Sequence, residues 1–131
     1  MVAAQGGDPA SIDDWSLLPH AAFSRAVKSP ESGRVFSMNT ERIGLASVAL
    51  GAGRETKEDS IDYGAGIVLE RKTGDRVEKG EVLATLYTSD EGMLDLGELI
   101  LLKSYEIRSA KPDELPHFLA RVSAKGVERY L

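Results

Sequence analysis

The stretch GAGRETKEDSIDYGAGIVLERKTGDRVEKGEVLATL, residues 51–86, decides the fold, because its glycines either cradle an anion or turn the chain. Gly51 follows the last apolar residue of a predicted helix, a position where helices often end on a left-handed glycine. Phosphate loops have the opposite order of strand, glycines and helix, and the Gly-Lys-Ser/Thr of a P-loop is absent. We therefore assign Gly51 and Gly53 to chain geometry in preference to phosphate binding.

Two later glycines of this stretch predict sharp corners. Gly74 lies in a Thr-Gly-Asp turn after the predicted strand GIVLERK, and Gly80 lies in a Lys-Gly turn. Glycine accepts the left-handed backbone that such turns require. Val77, between the two corners, is the apolar residue expected to fill the core.

The charged run RETKEDSID, residues 54–62, predicts a solvated loop. We expect Arg54 to close this loop through an ion pair with Asp59 or Asp62. Four carboxylates of the run are the types of group that hold a hard cation: Glu55, Glu58, Asp59 and Asp62. Their spacing does not match an EF-hand loop, so no metal site is predicted.

The segment that precedes this stretch predicts strands and a helix. FSRAVKSPESGRVFSMN, residues 23–39, has the pattern of a β-hairpin whose turn contains Pro30 and Gly33. TERIGLASVALGAG predicts a helix with Asn39 or Thr40 as its N-cap. The helix has too many apolar residues for one narrow stripe, so we expect it to be well buried.

Residues 1–22 form an arm rich in turn-forming residues. Asp8 or Ser11 is expected to cap a short helical turn in this arm. Trp15, Leu17 and Leu18 are expected to pack the arm onto the body, since a disordered arm rarely contains such residues. The sequence after Met1 begins abruptly, which suggests an internal segment of a longer protein.

The segments after residue 86 complete the α+β pattern. Residues 91–103 predict a helix with Ser89 or Asp90 as cap, and residues 104–110 a strand. Residues 115–131 fit either a helix or two short strands around Ser-Ala-Lys-Gly, and we favour the strands. The whole chain is expected to be a packed α+β domain.

Composition excludes several classes of protein. The chain has 131 residues, which suits one domain, and a formal net charge of −5, which disfavours nucleic-acid binding. It contains no cysteine, which excludes disulfides and thiolate chemistry and favours a cytoplasmic location. No apolar run reaches the roughly 20 residues that span a bilayer, so no membrane contact is expected.

No reaction centre is visible in the sequence. His20 and His117 lie far apart and have no evident partner, so neither is assigned as a catalytic base. Tyr63, Tyr87 and Tyr105 are interpreted as core or interface residues. We therefore predict no catalytic residue and no cofactor for this chain.

Two segments together resemble a known family. AQGGDP at residues 4–9 and IGLASVALGAGRETKEDSIDYGAGIVLERKTGDRVEKGEVLATLY at residues 43–87 are similar to the C-terminal region of the pyrimidine nucleoside phosphorylase and thymidine phosphorylase family. The resemblance covers about residues 2–88. Members of that family cleave a pyrimidine nucleoside with phosphate, giving the free base and a pentose 1-phosphate.

The resemblance implies a fold, a domain plan and partners. The fold would be a barrel-sandwich hybrid with an α/β-hammerhead-like layer. Residues 1–22 would be the tail of the α/β domain of the parent enzyme, and residues 23–131 its C-terminal domain. The partners would be the remaining domains of a homodimeric parent, which binds nucleoside and phosphate as co-substrates.

The resemblance gives no catalytic residue a position in this chain. The family's catalytic and substrate-binding side chains lie upstream of the matching segments. Arg54, Lys57 and Asp59 are the residues we predict to face the substrate cleft or to dock against another domain. The alternative is that they only hold their own loop.

A second resemblance is shorter. TGDRVEKGEVLATL, residues 73–86, is similar to half of a biotinyl or lipoyl carrier domain. Those domains present a modified lysine in Met-Lys-Met or Asp-Lys-Ala, and neither tripeptide occurs here. The alternative function is therefore a carrier-like module without an obvious modified lysine.

Overall fold

The described residues form two α-helices and eight strands that pair antiparallel, which confirms the predicted α+β class. The computed structural model describes residues 1–54, 56–112 and 118–130. The elements in chain order are β1 (Phe23–Lys28), β2 (Gly33–Met38), α1 (Thr40–Ser47), β3 (Gly66–Leu69), β4 (Arg76–Val77), β5 (Val82–Thr88), α2 (Leu94–Leu102), β6 (Tyr105–Arg108), β7 (Ala120–Ser123) and β8 (Gly126–Arg129).

The first sheet has the strand order β1-β5-β3, with β5 in the centre. Val27 of β1 lies opposite Ala84, and Ile67 of β3 lies opposite Leu86. Val27, Ala84 and Leu86 are fully buried. Ile67 and Leu69 pack against this core, while Val68 between them faces solvent.

The second sheet has the order β4-β2-β6, so the predicted hairpin of β1 with β2 is wrong. The two strands form, but each pairs in a different sheet. The segment between them is tied instead to the turn before β5, because the amide of Ser29 donates to the carbonyl of Glu81 at 2.8 Å. Val27 and Val35 are both fully buried, and separate pairing lets each sheet contribute one of them to the interior.

The two predicted corners around Val77 are confirmed. Gly74 and Gly80 have φ angles of 97° and 88°, in the left-handed region that disfavours other residues. The amide of Gly74 donates to Val35 and that of Gly80 to Ser29, so each corner is bonded to a neighbouring segment. Val77 between them is fully buried.

α2 packs against β1 and β5 of the first sheet, and α1 packs against α2. The side chain of Asn39 caps α1 by accepting from the amide of Arg42, and Asp90 caps the 3₁₀ turn that leads into α2, both as predicted. The expectation that the first helix is well buried is confirmed only in part, since Ala46 and Leu50 are buried. Leu45 is 56% exposed, because α1 contacts the body with only one face, on which Ala46 lies.

The N-terminal arm does not pack as predicted. Trp15, Leu17 and Leu18 are 74%, 53% and 48% exposed. The arm forms short 3₁₀ turns held by local hydrogen bonds, such as those from Ser16 to the carboxylate of Asp14. These local bonds satisfy the polar groups of the arm without burying its large apolar side chains.

The C-terminal segment forms the two short strands favoured by the sequence. β7 and β8 pair as a hairpin, with Val122 opposite Val127. Residues 118–130 are all exposed. Leu115 and His117 lie outside the described residues.

Candidate functional site

The charged loop between α1 and β3 is anchored at both of its ends. The amide of Asp62 donates to the carbonyl of Gly51 at 2.9 Å, which closes the loop at its base. The hydroxyl of Thr88, on β5, donates to the carbonyl of Leu50 at 2.7 Å and is itself buried. The two ends of the loop are therefore bonded to each other, and the residue before its start is bonded to the last residue of β5.

Gly51 and Gly53 shape the backbone where the charged loop begins. Gly51 has a φ of 102°, which confirms its predicted role in ending the helix, here within a π-helical turn (Val48–Ala52). Gly53 is extended, and a Cβ atom there would lie 2.7 Å from Cγ2 of Val48. Chain reversal and close packing thus account for both glycines.

Asp62 is the residue that joins the loop to β5. Its carboxylate accepts from the amide of Gly64 at 2.9 Å and from the amide of Ser89 at 3.1 Å. Hydrogen bonding from the side chain of Ser89 and the backbone of Gly64 lowers the pKa of Asp62 below its usual 3.8. The predicted ion pair with Arg54 is not formed, and no other ion pair of Arg54 occurs among the described residues.

Within the loop, a tight turn presents charged side chains to solvent. The amide of Thr56 donates to the carboxylate of Asp59 at 2.8 Å, and Lys57 lies inside this turn. Arg54, Lys57 and Asp59 are all exposed, and Glu55 lies outside the described residues. No group of three or more metal-binding side chains occurs in the described part of the chain.

Behind the loop lies a shallow cavity of about 340 Å³. Backbone and small polar groups line it beside a few apolar ones: Ala49, Leu50, Gly51, Ser60, Ile61, Asp62, Thr88, Ser89, Asp90 and Met93. The cavity is thus lined both by the end of the loop and by the segment that leads into α2.

Comparison with known proteins places this geometry in a family. The sequence model for the pyrimidine nucleoside phosphorylase C-terminal domain matches residues 34–108, more than half of the chain. The chain belongs to this family. The match runs from β2 to β6 and includes the whole anchored loop, whereas the N-terminal arm, β1 and the C-terminal hairpin lie outside it.

Several similar proteins are named pyrimidine-nucleoside phosphorylase. The pyrimidine-nucleoside phosphorylases of Bacillus subtilis and Geobacillus stearothermophilus are each 44% identical over 116 and 117 residues, which is 88% of this chain. That of Staphylococcus aureus (strain USA300) is 46% identical over 92 residues, or 70% of the chain. The aligned residues span only 26%, 26% and 21% of these relatives.

The tyrosines and histidines considered in the sequence analysis lie in different surroundings. The hydroxyl of Tyr105 donates to the carbonyl of Arg71 at 2.9 Å, and burial raises the pKa of Tyr105 to about 12. Tyr105 thus packs against the core as predicted, whereas Tyr63 is 81% exposed and does not. His20 is exposed, and His117 lies outside the described residues.

The sequence analysis missed Thr88 altogether, and it named Asp62 as a partner of Arg54 and not of the amides of Gly64 and Ser89. Thr88 and Asp62 hold the ends of the loop, yet their sequence surroundings do not mark them for that role. The available signal was the pairing of a strand-terminal Thr-Ser-Asp with an Asp-x-Gly turn, since short polar side chains at such places bond to nearby backbone amides. Local sequence does not reveal that the two segments meet.

No helix in the described part of the chain is long and apolar enough to cross a membrane.

Proposed function

We propose that this chain is the C-terminal domain of a pyrimidine-nucleoside phosphorylase that splits a pyrimidine nucleoside with phosphate into the base and a pentose 1-phosphate. The observation that supports this most is the family match over residues 34–108. The relatives that are named pyrimidine-nucleoside phosphorylase support it further. The catalytic groups are assigned to the rest of the enzyme, and none is assigned to this chain.

The role proposed for the domain is to support the substrate cleft. Arg54, Lys57 and Asp59 lie on an exposed loop whose base is bonded to β5, so the loop presents these side chains from an anchored backbone. Groups that are fixed by hydrogen bonds at a rigid base lose less entropy on docking. The loop is therefore proposed to close the cleft or to dock against another domain.

The finer domain plan belongs to the same proposal. Residues 1–22 are assigned to the adjoining domain of the phosphorylase and residues 23–131 to the C-terminal domain, with a barrel-sandwich and hammerhead-like arrangement of the sheets. The exposed Trp15, Leu17 and Leu18 support this division, because they need a neighbour to cover them. The parent is proposed to be a cytoplasmic homodimer.

A chimeric enzyme tests the function. This chain replaces the matching C-terminal region of the Bacillus subtilis relative, and phosphate-dependent release of uracil from uridine is measured. We expect the chimera to be active and the same relative without the region to be inactive. An inactive but folded chimera would contradict the proposal, as would turnover by this chain alone.

Charge changes in the same chimera test the loop. Arg54→Gln and Lys57→Gln together are expected to lower kcat/KM by about tenfold, because docking of charged groups contributes about 1–2 kcal/mol in typical interfaces. Arg121→Gln and Lys125→Gln, a matched pair in the exposed hairpin, provide the control. Equal kcat/KM values for the loop and hairpin variants would mean that the loop charges do not take part in closing or docking.

The carrier alternative predicts a covalent adduct. The family match weighs against it, since that match includes the Lys79–Gly80 turn within residues 34–108. The intact mass of the protein expressed in a cell that makes biotin and lipoate is expected to equal the sequence mass. A mass increase on a lysine would favour the carrier function instead.

A further inference from the structure

Three arginines lie side by side across the second sheet. Arg34 of β2 is the direct register partner of Arg76 on β4 and of Arg108 on β6. Directly opposed residues project from the same face of a sheet, and neighbouring strands are only about 4.8 Å apart. Like charges at such positions repel one another, so this arginine row (Arg76, Arg34 and Arg108) has an electrostatic cost in an isolated domain.

Acidic side chains neutralise only the two ends of the row. Arg76 pairs with Glu78 at 3.6 Å. Arg108 donates to Glu106 and also lies over the ring of Phe36, 3.9 Å from its centre. The row of three cations and two carboxylates therefore retains one uncompensated positive charge.

That charge belongs to Arg34 at the centre. Its guanidinium donates to the carbonyl of Gly74 at 3.1 Å, which is a neutral acceptor. No carboxylate pairs with Arg34 within residues 1–54, 56–112 and 118–130. Guanidinium has five N–H donors, so Arg34 keeps donors that can bind an anion.

A pocket of about 390 Å³ opens beside the row. It is lined by Ser32, Gly33, Arg34, Arg76, Glu78 and Ser109. A Cβ at Gly33 would lie 2.7 Å from the carbonyl oxygen of Arg108, so the strands approach closely at the pocket and only glycine fits there. The lining combines two guanidinium groups and two hydroxyl groups, which can donate hydrogen bonds to oxygen, with the carboxylate of Glu78, which pairs with Arg76.

We propose that this pocket is a binding site for a phosphate-class anion, either inorganic phosphate or the phosphate of a small phosphorylated molecule. Adjacent guanidinium groups match the several oxygens and double charge of a phosphate better than a carboxylate, which has one charge and two oxygens. The chain as a whole has a net charge of −5, so its overall field does not attract anions and binding depends on this local row. The site is separate from the anchored loop and does not depend on the phosphorolysis proposal.

Calorimetric titration of the 131-residue protein tests the site. Inorganic phosphate, ribose 5-phosphate and acetate are titrated separately at one ionic strength. We expect both phosphates to bind and acetate to bind at least about tenfold more weakly, since a singly charged ligand forms fewer charge-assisted bonds. Tighter binding of ribose 5-phosphate than of inorganic phosphate would identify a phosphorylated molecule as the ligand, and the reverse order would identify free phosphate.

Variants locate the binding. Arg34→Gln is expected to weaken phosphate binding by about tenfold, whereas Arg129→Gln on β8 leaves it unchanged. Glu78→Gln, which frees Arg76 from its ion pair, is expected to strengthen binding by about twofold to threefold. This opposite sign does not depend on whether Arg34→Gln folds, which circular dichroism checks.

Three results would overturn the site. They are absence of phosphate binding, equal affinity for acetate and phosphate, and equal effects of Arg34→Gln and Arg129→Gln. The last result would mean that the anion binds to the surface through general charge attraction.

Discussion

Val77 and Val122 lie in strands of very different length, yet the shorter strand contains the buried residue. Val77 belongs to a two-residue strand and is fully buried between two glycine corners. Val122 belongs to a regular four-residue strand of the C-terminal hairpin and is 78% exposed. Strand pairing and burial are thus separate properties, and an isolated two-stranded hairpin is marginally stable without a buried face. We expect stability to follow burial.

The largest expected difference in stability is between truncation of a core leucine and truncation of a hairpin valine. Leu86→Ala removes a fully buried side chain from β5 and is expected to lower the free energy of unfolding by about 2–5 kcal/mol. Val122→Ala, in the hairpin, is expected to change it by less than about 0.5 kcal/mol. Urea unfolding followed by circular dichroism measures both, and similar losses would show that the hairpin packs on the body in solution.

A buried hydroxyl should matter more than an exposed one. Thr88→Val removes the 2.7 Å bond to the carbonyl of Leu50 and leaves that buried acceptor unpaired, so we expect a loss of about 1–3 kcal/mol. Ser123→Ala removes a bond to the amide of Lys125 that water can replace, and should have almost no effect. A neutral Thr88→Val would mean that the anchor of the charged loop is dispensable.

Glycines with positive φ in the two regions give a matched pair. Gly80 has a φ of 88° and Gly126 a φ of 126°, and a Cβ atom added to either glycine would meet no atom within 4 Å. Alanine at Gly80 is expected to destabilise the body by about 1–2 kcal/mol through backbone strain. Alanine at Gly126 is expected to disturb only the hairpin, which amide hydrogen exchange distinguishes from global unfolding.

The smallest expected effect is on the loss of stability at low pH. The folded-state pKa of Asp62 lies below its usual 3.8, so its ionised form stabilises the fold above pH 3.8 and that contribution is lost as the pH falls through the folded pKa. Asp62→Asn should therefore flatten the decline in stability below about pH 4. Titration of the Asp62 carboxyl by NMR provides the direct measurement. A midpoint at or above 3.8 would contradict the hydrogen bonds that Asp62 accepts from Gly64 and Ser89.

The candidate site was only partly predictable. The charged run correctly indicated an exposed loop, and Gly51 indicated where the preceding helix stops. The assignment of Arg54, Lys57 and Asp59 as docking residues remains a prediction. The expected ion pair was wrong because Asp62 bonds to the amides of nearby Gly64 and of Ser89, which is far away in the sequence.

Local sequence determined the two corners around Val77 and the helix caps, and it favoured two strands over a helix in the C-terminal segment. Gly74, Gly80 and Asn39 act through their own backbone preference or through bonds to residues a few positions away, so their roles can be read without knowledge of the whole chain. Tertiary structure alone decided that β1 and β2 pair in different sheets, that Trp15 and Leu45 remain exposed, and that three arginines align. These outcomes depend on which distant segments bury the most apolar surface together, a quantity that no short stretch of sequence contains.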